Sequence, residues 1–144
     1  MRQMCLIIVI IGLIAIQTSG RLHFKRKSVA YEYPYYQIIL TLGSCKDKII
    51  YSESKVWGHT RYNRVLDIYF KSEDPSVLVS KAEIILLINN TNIMANSEKG
   101  VGNQEFGATV FLPADSGAIL FYLTIYACNG NTSEKDIPAK CSEK

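Results

Sequence analysis

The sequence predicts an all-β fold, an antiparallel β-sandwich or partly open barrel of about six to eight strands. Three observations carry that reading. Short apolar runs recur at intervals of about 8 to 12 residues, with Gly, Pro, Asn, Asp and Ser between them. Where a run can be phased, it alternates with the two-residue period of a strand. No stretch carries a convincing amphipathic helical pattern. The clearest run is Ala118 to Tyr126, with Ile119, Phe121, Leu123 and Ile125 on one face and Leu120, Tyr122, Thr124 and Tyr126 on the other. Both faces are largely apolar, which predicts a central strand covered on each side. Phe106 to Leu112 precedes it across Pro113, Ala114, Asp115, Ser116 and Gly117, turn formers that predict a hairpin.

In chain order, Arg2 precedes an apolar block from Cys5 to Ile16, followed by Gln17, Thr18, Ser19 and Gly20. The block is shorter than the roughly 20 apolar residues that span a bilayer, and Thr18 and Gly20 supply the small residues of a signal-peptidase site. Residues 1–20 are therefore read as a cleaved signal peptide, and the mature chain as a secreted, extracellular protein beginning at Arg21. Residues 21–35 form a basic and Tyr-rich N-terminal arm, residues 36–128 the β-sandwich domain and residues 129–144 a polar C-terminal tail. The mature length of roughly 120 residues suits one domain.

Within the arm, RLHFKRK lacks a hydrophobic period and reads as a solvated, frayed terminus, with Lys25, Arg26 and Lys27 also resembling a site for a basic-specific protease. The cluster Tyr31, Glu32, Tyr33, Pro34, Tyr35, Tyr36 either leads into an edge strand or forms an adhesive aromatic surface. Gln37 to Leu42 is a first strand, closed by Gly43 and Ser44. Asp47 to Glu53 is a second, with Ile49 and Tyr51 on one face and Ile50 on the other. Asn63 to Phe70 is a third, with Leu66, Ile68 and Phe70 toward the core and Val65, Asp67 and Tyr69 away from it. Ser72 to Ser76 is a turn, Val77 to Val79 a short strand, and Ala82 to Ile88 a buried strand. A further short strand is expected at Ile93 and Met94. Lys55 to Tyr62, which holds Trp57, has no clear period.

Cys5 departs with the signal peptide, leaving Cys45, Cys128 and Cys141. An oxidising compartment then implies one disulfide and one leftover thiol. Cys128 with Cys141 is slightly favoured because the loop between them closes easily, and either pairing with Cys45 stays open. The third thiol is either buried and inert or joins a second chain in a dimer. Two sequons, Asn89-Asn90-Thr91 and Asn131-Thr132-Ser133, make Asn89 and Asn131 candidates for N-glycosylation on an exported chain.

Composition speaks against several classes. The formal charge of +3 becomes +2 once Arg2 is lost, too weak to imply nucleic acid or an anionic membrane as partner. Only His23 and His59 are available as imidazole bases. His59 with Ser44, Ser54 or Asp67 is no more than chance supplies, and there is no G-x-S-x-G elbow. The three cysteines are too dispersed for a zinc site. Gly100-Val101-Gly102 lacks the Lys-Ser/Thr of a phosphate loop and reads as a tight bend where two backbones approach. The sequence is thus read as non-enzymatic, with no catalytic residue, no metal and no cofactor.

One family resemblance emerges from the order of these pieces. Gly43, Asp47, Ile49 and Ile50, then Val65, Asp67, Ile68 and Tyr69, then the aliphatic strand ending at Ile88-Asn89, then Gly100 to Gly102, then Ser116 to Tyr126, resemble the insect multiprotein bridging factor 2 family over roughly Gly43 to Ala127. The chain departs from that pattern at Asn89, Lys99 and Ala127. The resemblance implies a small exported protein of saliva, venom or haemolymph, with no catalytic or cofactor residues. The leading expectation is a secreted binding or effector protein whose partner is an extracellular protein or host factor. Two alternatives accompany it: a transcriptional co-activator, as the family name suggests, which requires the apolar N-terminus to be retained, and a carrier of a small apolar ligand, which requires a cavity of about 300 Å³ or more.

Overall fold

The computed structural model describes residues 22–128. Residues 1–20, read above as a signal peptide, together with Arg21 and residues 129–144, which include Asn131 and Cys141, lie outside them. The described residues form nine strands and no helix, arranged as two packed antiparallel sheets: β1 (Leu22–His23), β2 (Lys25–Ala30), β3 (Tyr36–Gly43), β4 (Lys48–Trp57), β5 (Arg64–Lys71), β6 (Val79–Ile88), β7 (Met94–Lys99), β8 (Glu105–Leu112) and β9 (Ile119–Ala127). One sheet has the order β1-β7-β8-β5, the other β2-β3-β6-β9-β4.

Alternation explains the layering. Ile38, Leu40 and Leu42 of β3, Ala82, Ile84, Leu86 and Ile88 of β6, and Ile119, Phe121, Leu123 and Ile125 of β9 form the inner face of the five-stranded sheet. Phe106, Ala108, Val110 and Leu112 of β8 meet them from the other sheet, with Leu66, Ile68 and Phe70 of β5 partly buried beside them. The facing expected for β5 therefore holds. Interdigitated side chains of two inner faces are the usual core of a sandwich.

Several expectations need correction. β8 and β9 do not form a hairpin: β8 pairs with β5 and β7, whereas β9 pairs with β4 and β6. Residues 113–118 instead carry the chain from one sheet to the other, because both runs bury one face against the opposite layer. β9 is interior to its sheet, as expected, but it is not covered on both sides. Its outer face carries Tyr122, 46% exposed. Leu120 and Tyr122 shield themselves against Leu87 and Ile85, their direct partners on β6, and no further layer stands over them among the described residues. The basic arm is not frayed. Leu22 and His23 pair with Ser97 and Asn96 of β7, and Lys25 to Ala30 pair with Thr41 to Tyr36 of β3. Phe24, between the two strands, packs edge-on against Phe106 at 6.4 Å, and Arg26 donates to the carbonyls of Thr91 and Ile93. The arm thus crosses from one sheet to the other and closes that side of the sandwich. It supplies two strands that alternation does not mark.

In β4 the register slips between Ile49 and Tyr51. Ile49 pairs with the outward Tyr126 and Tyr51 with the inward Ile125, so these two residues lie on opposite faces, not the same one. A bulge at Ile50 is the cause, since one extra residue inverts the phase of everything after it. Downstream of the bulge Tyr51, Glu53, Lys55 and Trp57 all point inward, opposite Ile125, Leu123, Phe121 and Ile119.

The end of the sandwich opposite the loops discussed below is built on close backbone approach. Gly43 has φ +80°, and a Cβ there would meet the Ser80 carbonyl oxygen at 2.2 Å. The Gly100-Val101-Gly102 bend is as expected: the Gly102 amide donates to Val79 O at 2.9 Å and the Val79 amide to Asn103 O at 2.8 Å. Beside it the buried Lys81 donates to Glu83 Oε2 at 2.7 Å, Lys46 lies 3.4 Å from the same oxygen, and both ammoniums sit over the Tyr126 ring.

Candidate functional site

The sheet order brings four connections to one end of the sandwich: residues 31–35, 58–63, 89–93 and 113–118. Turn residues dominate them, so each bonds its neighbours through short polar side chains. The Thr60 amide donates to Ser116 O at 3.1 Å, and both residues are buried. Asn63 Oδ1 accepts from the Ala114 amide at 2.8 Å, Asn89 Oδ1 accepts from the Gly117 amide at 3.0 Å, and Ser116 Oγ donates to Pro113 O at 2.7 Å. Asp115 takes the left-handed conformation at φ 53°, which Asp tolerates better than most residues. These bonds hold the loops of both sheets in one frame.

Around that frame stand exposed aromatic and apolar side chains. Tyr33 is 96% and Tyr62 80% exposed, and Tyr31 is also exposed. On the outer face of the four-stranded sheet, Met94, Phe111 and Val65 form one cross-strand row. All three are exposed. They line a shallow hollow of about 260 Å³ with Asn63, Asn92 and Pro113 at its rim. A rigid frame carrying Tyr and apolar anchors with Asn at the edge has the composition of an interaction surface, because tyrosine offers large contact area at a small entropic cost.

Tyr35, in contrast, is half-buried, its hydroxyl placed 3.0 Å from where a Cβ on Gly117 would lie, and so it serves the frame more than the surface. The alternation in Val65-Leu66-Asp67-Ile68-Tyr69 contained the signal for the new row: Val65 is apolar on the face expected to be exposed. Met94 and Phe111 could not be joined to it without the pairing of β5, β7 and β8.

The other candidate residues are distributed elsewhere. Cys45 is bonded to Cys128, with S–S 2.00 Å and Cα–Cα 6.2 Å, so the slightly favoured Cys128–Cys141 pairing is replaced. The short loop counts for less than geometry: β3 and β9 end side by side around Val79 and Lys81 of β6, which places their following residues within reach. Asp47 brings a carboxylate oxygen within 4.8 Å of both sulfurs, but a disulfide offers no thiolate to a metal. Asn89, half-buried, has its side-chain carbonyl engaged by Gly117. His59 is exposed in the loop frame. The residues considered as its partners lie apart: Ser44 follows the far end of β3, Ser54 faces outward beside Tyr122, and Asp67 accepts from Thr109 Oγ1 at 2.9 Å on the other sheet.

Compared with family models, curated proteins and solved structures, the chain matches none.

Proposed function

We propose that this is an exported, non-enzymatic binding protein, akin to the insect multiprotein bridging factor 2 proteins it resembles, that holds an extracellular protein partner of self or host on the loop end of the sandwich. The observation that carries the reading is the exposed Val65-Phe111-Met94 row on β5, β8 and β7, at the end of the sandwich where the loops are braced by backbone and Asn hydrogen bonds. A hollow of about 260 Å³ falls below the roughly 300–1,000 Å³ of small-molecule pockets, and it suits the insertion of one or two side chains from a protein surface. The Cys45–Cys128 disulfide supports an oxidising compartment.

The carrier reading has one feature in its favour, a cleft of about 670 Å³ with Ile50, Tyr51 and Phe70 on its walls. Lys48, Lys71, Glu73 and Asp74 rim that cleft, which favours a polar occupant over an apolar one. Two measurements test the preferred reading. Mass spectrometry of the full chain expressed in a secretory cell should find protein in the medium beginning at Arg21; chain retained inside the cell with Met1 in place would remove the extracellular assignment. A capture experiment from the surrounding fluid should retain a partner with the wild type and with Tyr122→Ser on the outer face of the five-stranded sheet, and lose it with the Tyr62→Ala/Phe111→Ser double variant.

A further inference from the structure

Among the described residues, the side of the sandwich opposite the N-terminal arm is open. β4 and β5 are the edge strands of the two sheets there, and the groove between them has a volume of about 240 Å³, with Tyr51, Trp57 and Phe121 facing Leu66 and Ile68. Glu53 and Lys55 lie on the inward face of β4 between the two aromatic residues, bonded to one another at 2.7 Å. Inward charges on an edge strand usually serve to repel another strand. Here they occur as an opposite pair, and their order along the strand is Tyr51-Ser52-Glu53-Ser54-Lys55-Val56-Trp57.

That order is self-complementary about Ser54. When two copies of β4 run antiparallel with Ser54 facing Ser54, Glu53 of each copy faces Lys55 of the other, and Tyr51 of each faces Trp57 of the other. Each pair shares the inward face, since directly opposed residues in an antiparallel pair point to the same side. Ser52 then faces Val56 on the outer side, where Val56 is 69% exposed. The paired segment stops at the Ile50 bulge, which ends regular pairing at that point. The edge of β2 in the same sheet lacks this property. It presents Lys25, Arg26 and Lys27, and β2 contains no acidic residue to set opposite them.

We propose that β4 is a homodimerisation edge, and that a second copy of this chain extends the five-stranded sheet across a two-fold axis at Ser54. The two Glu53–Lys55 pairs set the register, and the two Tyr51–Trp57 pairs close the open groove of each copy. Because the two β4 strands run antiparallel, the loop ends of the two copies point in opposite directions.

The test is sedimentation of the full mature chain carrying Cys141→Ser, so that no intermolecular disulfide contributes, at concentrations on the order of 100 µM, where small interfaces associate. A dimer is expected. Glu53→Lys and Lys55→Glu should each weaken dimerisation on the order of ten- to a hundredfold, because each converts two attractive cross-strand pairs into two repulsive ones. Circular dichroism should show both variants folded, since both side chains are partly exposed. An equimolar mixture of the two variants should recover the dimer as a heterodimer, in which every charge again faces its opposite. A monomeric wild type would overturn the proposal and leave the charges as guards against edge pairing. Dimers insensitive to both substitutions, or a mixture that stays monomeric, would overturn it as well.

Discussion

At the scale of single residues, the strictest demand falls on Gly43. Its φ is +80°, and the Ser80 carbonyl oxygen lies 2.2 Å from where a Cβ would stand, which leaves no room for a side chain. Gly43→Ala should therefore cost about 2 kcal/mol or more, a combination of backbone strain and displaced carbonyl. Urea unfolding measures it; a loss under about 0.5 kcal/mol would contradict the close approach. Glu83 supplies a pH dependence. Partial burial favours its neutral form, but the hydrogen bond from Lys81 and the charges of Lys81 and Lys46 outweigh this and hold its pKa below the ordinary 4.5. Burial in turn pushes the Lys81 ammonium pKa down, against the pull of Glu83. A carboxylate with a depressed folded pKa adds stability above its unfolded value, and that stability is lost as pH falls through the folded one. Glu83→Gln should therefore melt well below the wild type at pH 7, and the gap should narrow as the pH drops below 4.5. Neither effect was legible beforehand. Gly43 read only as the end of a strand, and the Lys81–Glu83 pair is two residues apart on a strand whose Tyr126 neighbour comes from 45 positions later.

At the scale of elements, the two that matter most for the periphery are β2 and β4. The arm strand β2 is exposed along its whole length, and its anchor is Phe24 against Phe106. Phe24→Ala should cost about 2 kcal/mol, below the roughly 3–5 kcal/mol of a fully buried Phe because Phe24 is only partly covered. Hydrogen exchange should then show the loss of protection concentrated in residues 22–30 and in β3 and β7, the strands they pair with. Uniform loss across both sheets would mean that the arm is not a separable flap. Pattern alone could not find this element: RLHFKRK has no apolar alternation, and its strand state comes from pairing with β3 and β7, not from its own side chains. Four of the five interior strands were legible for the opposite reason, whereas β7 (Met94–Lys99), with no such alternation, was expected only as a short strand at Ile93 and Met94. β3, β6, β8 and β9 each bury alternate aliphatic or aromatic residues, and burial on one face is what writes a two-residue period into a sequence.

At the scale of the whole molecule, the Cys45–Cys128 bond joins residues 83 positions apart, a loop whose closure corresponds to roughly 4–5 kcal/mol of unfolded-state entropy at most. The Cys45→Ser/Cys128→Ser variant should lose a large part of that in chemical denaturation while keeping the β-sheet circular dichroism signature; an unchanged midpoint would mean that the bond constrains nothing the fold does not already fix. The loop end is likewise a property of the whole, since Val65, Met94 and Phe111 belong to three strands. By itself the sequence determined the fold class, the phase of most strands and the inward sets of β5 and β9, because these depend on local alternation between water and core. The tertiary structure alone decided which strands are partners, that residues 113–118 change sheets, that Cys45 finds Cys128, and that an apolar row and an open edge are left uncovered. Those outcomes depend on which surfaces meet, and residues far apart in the chain carry no local mark of the neighbour that will or will not cover them.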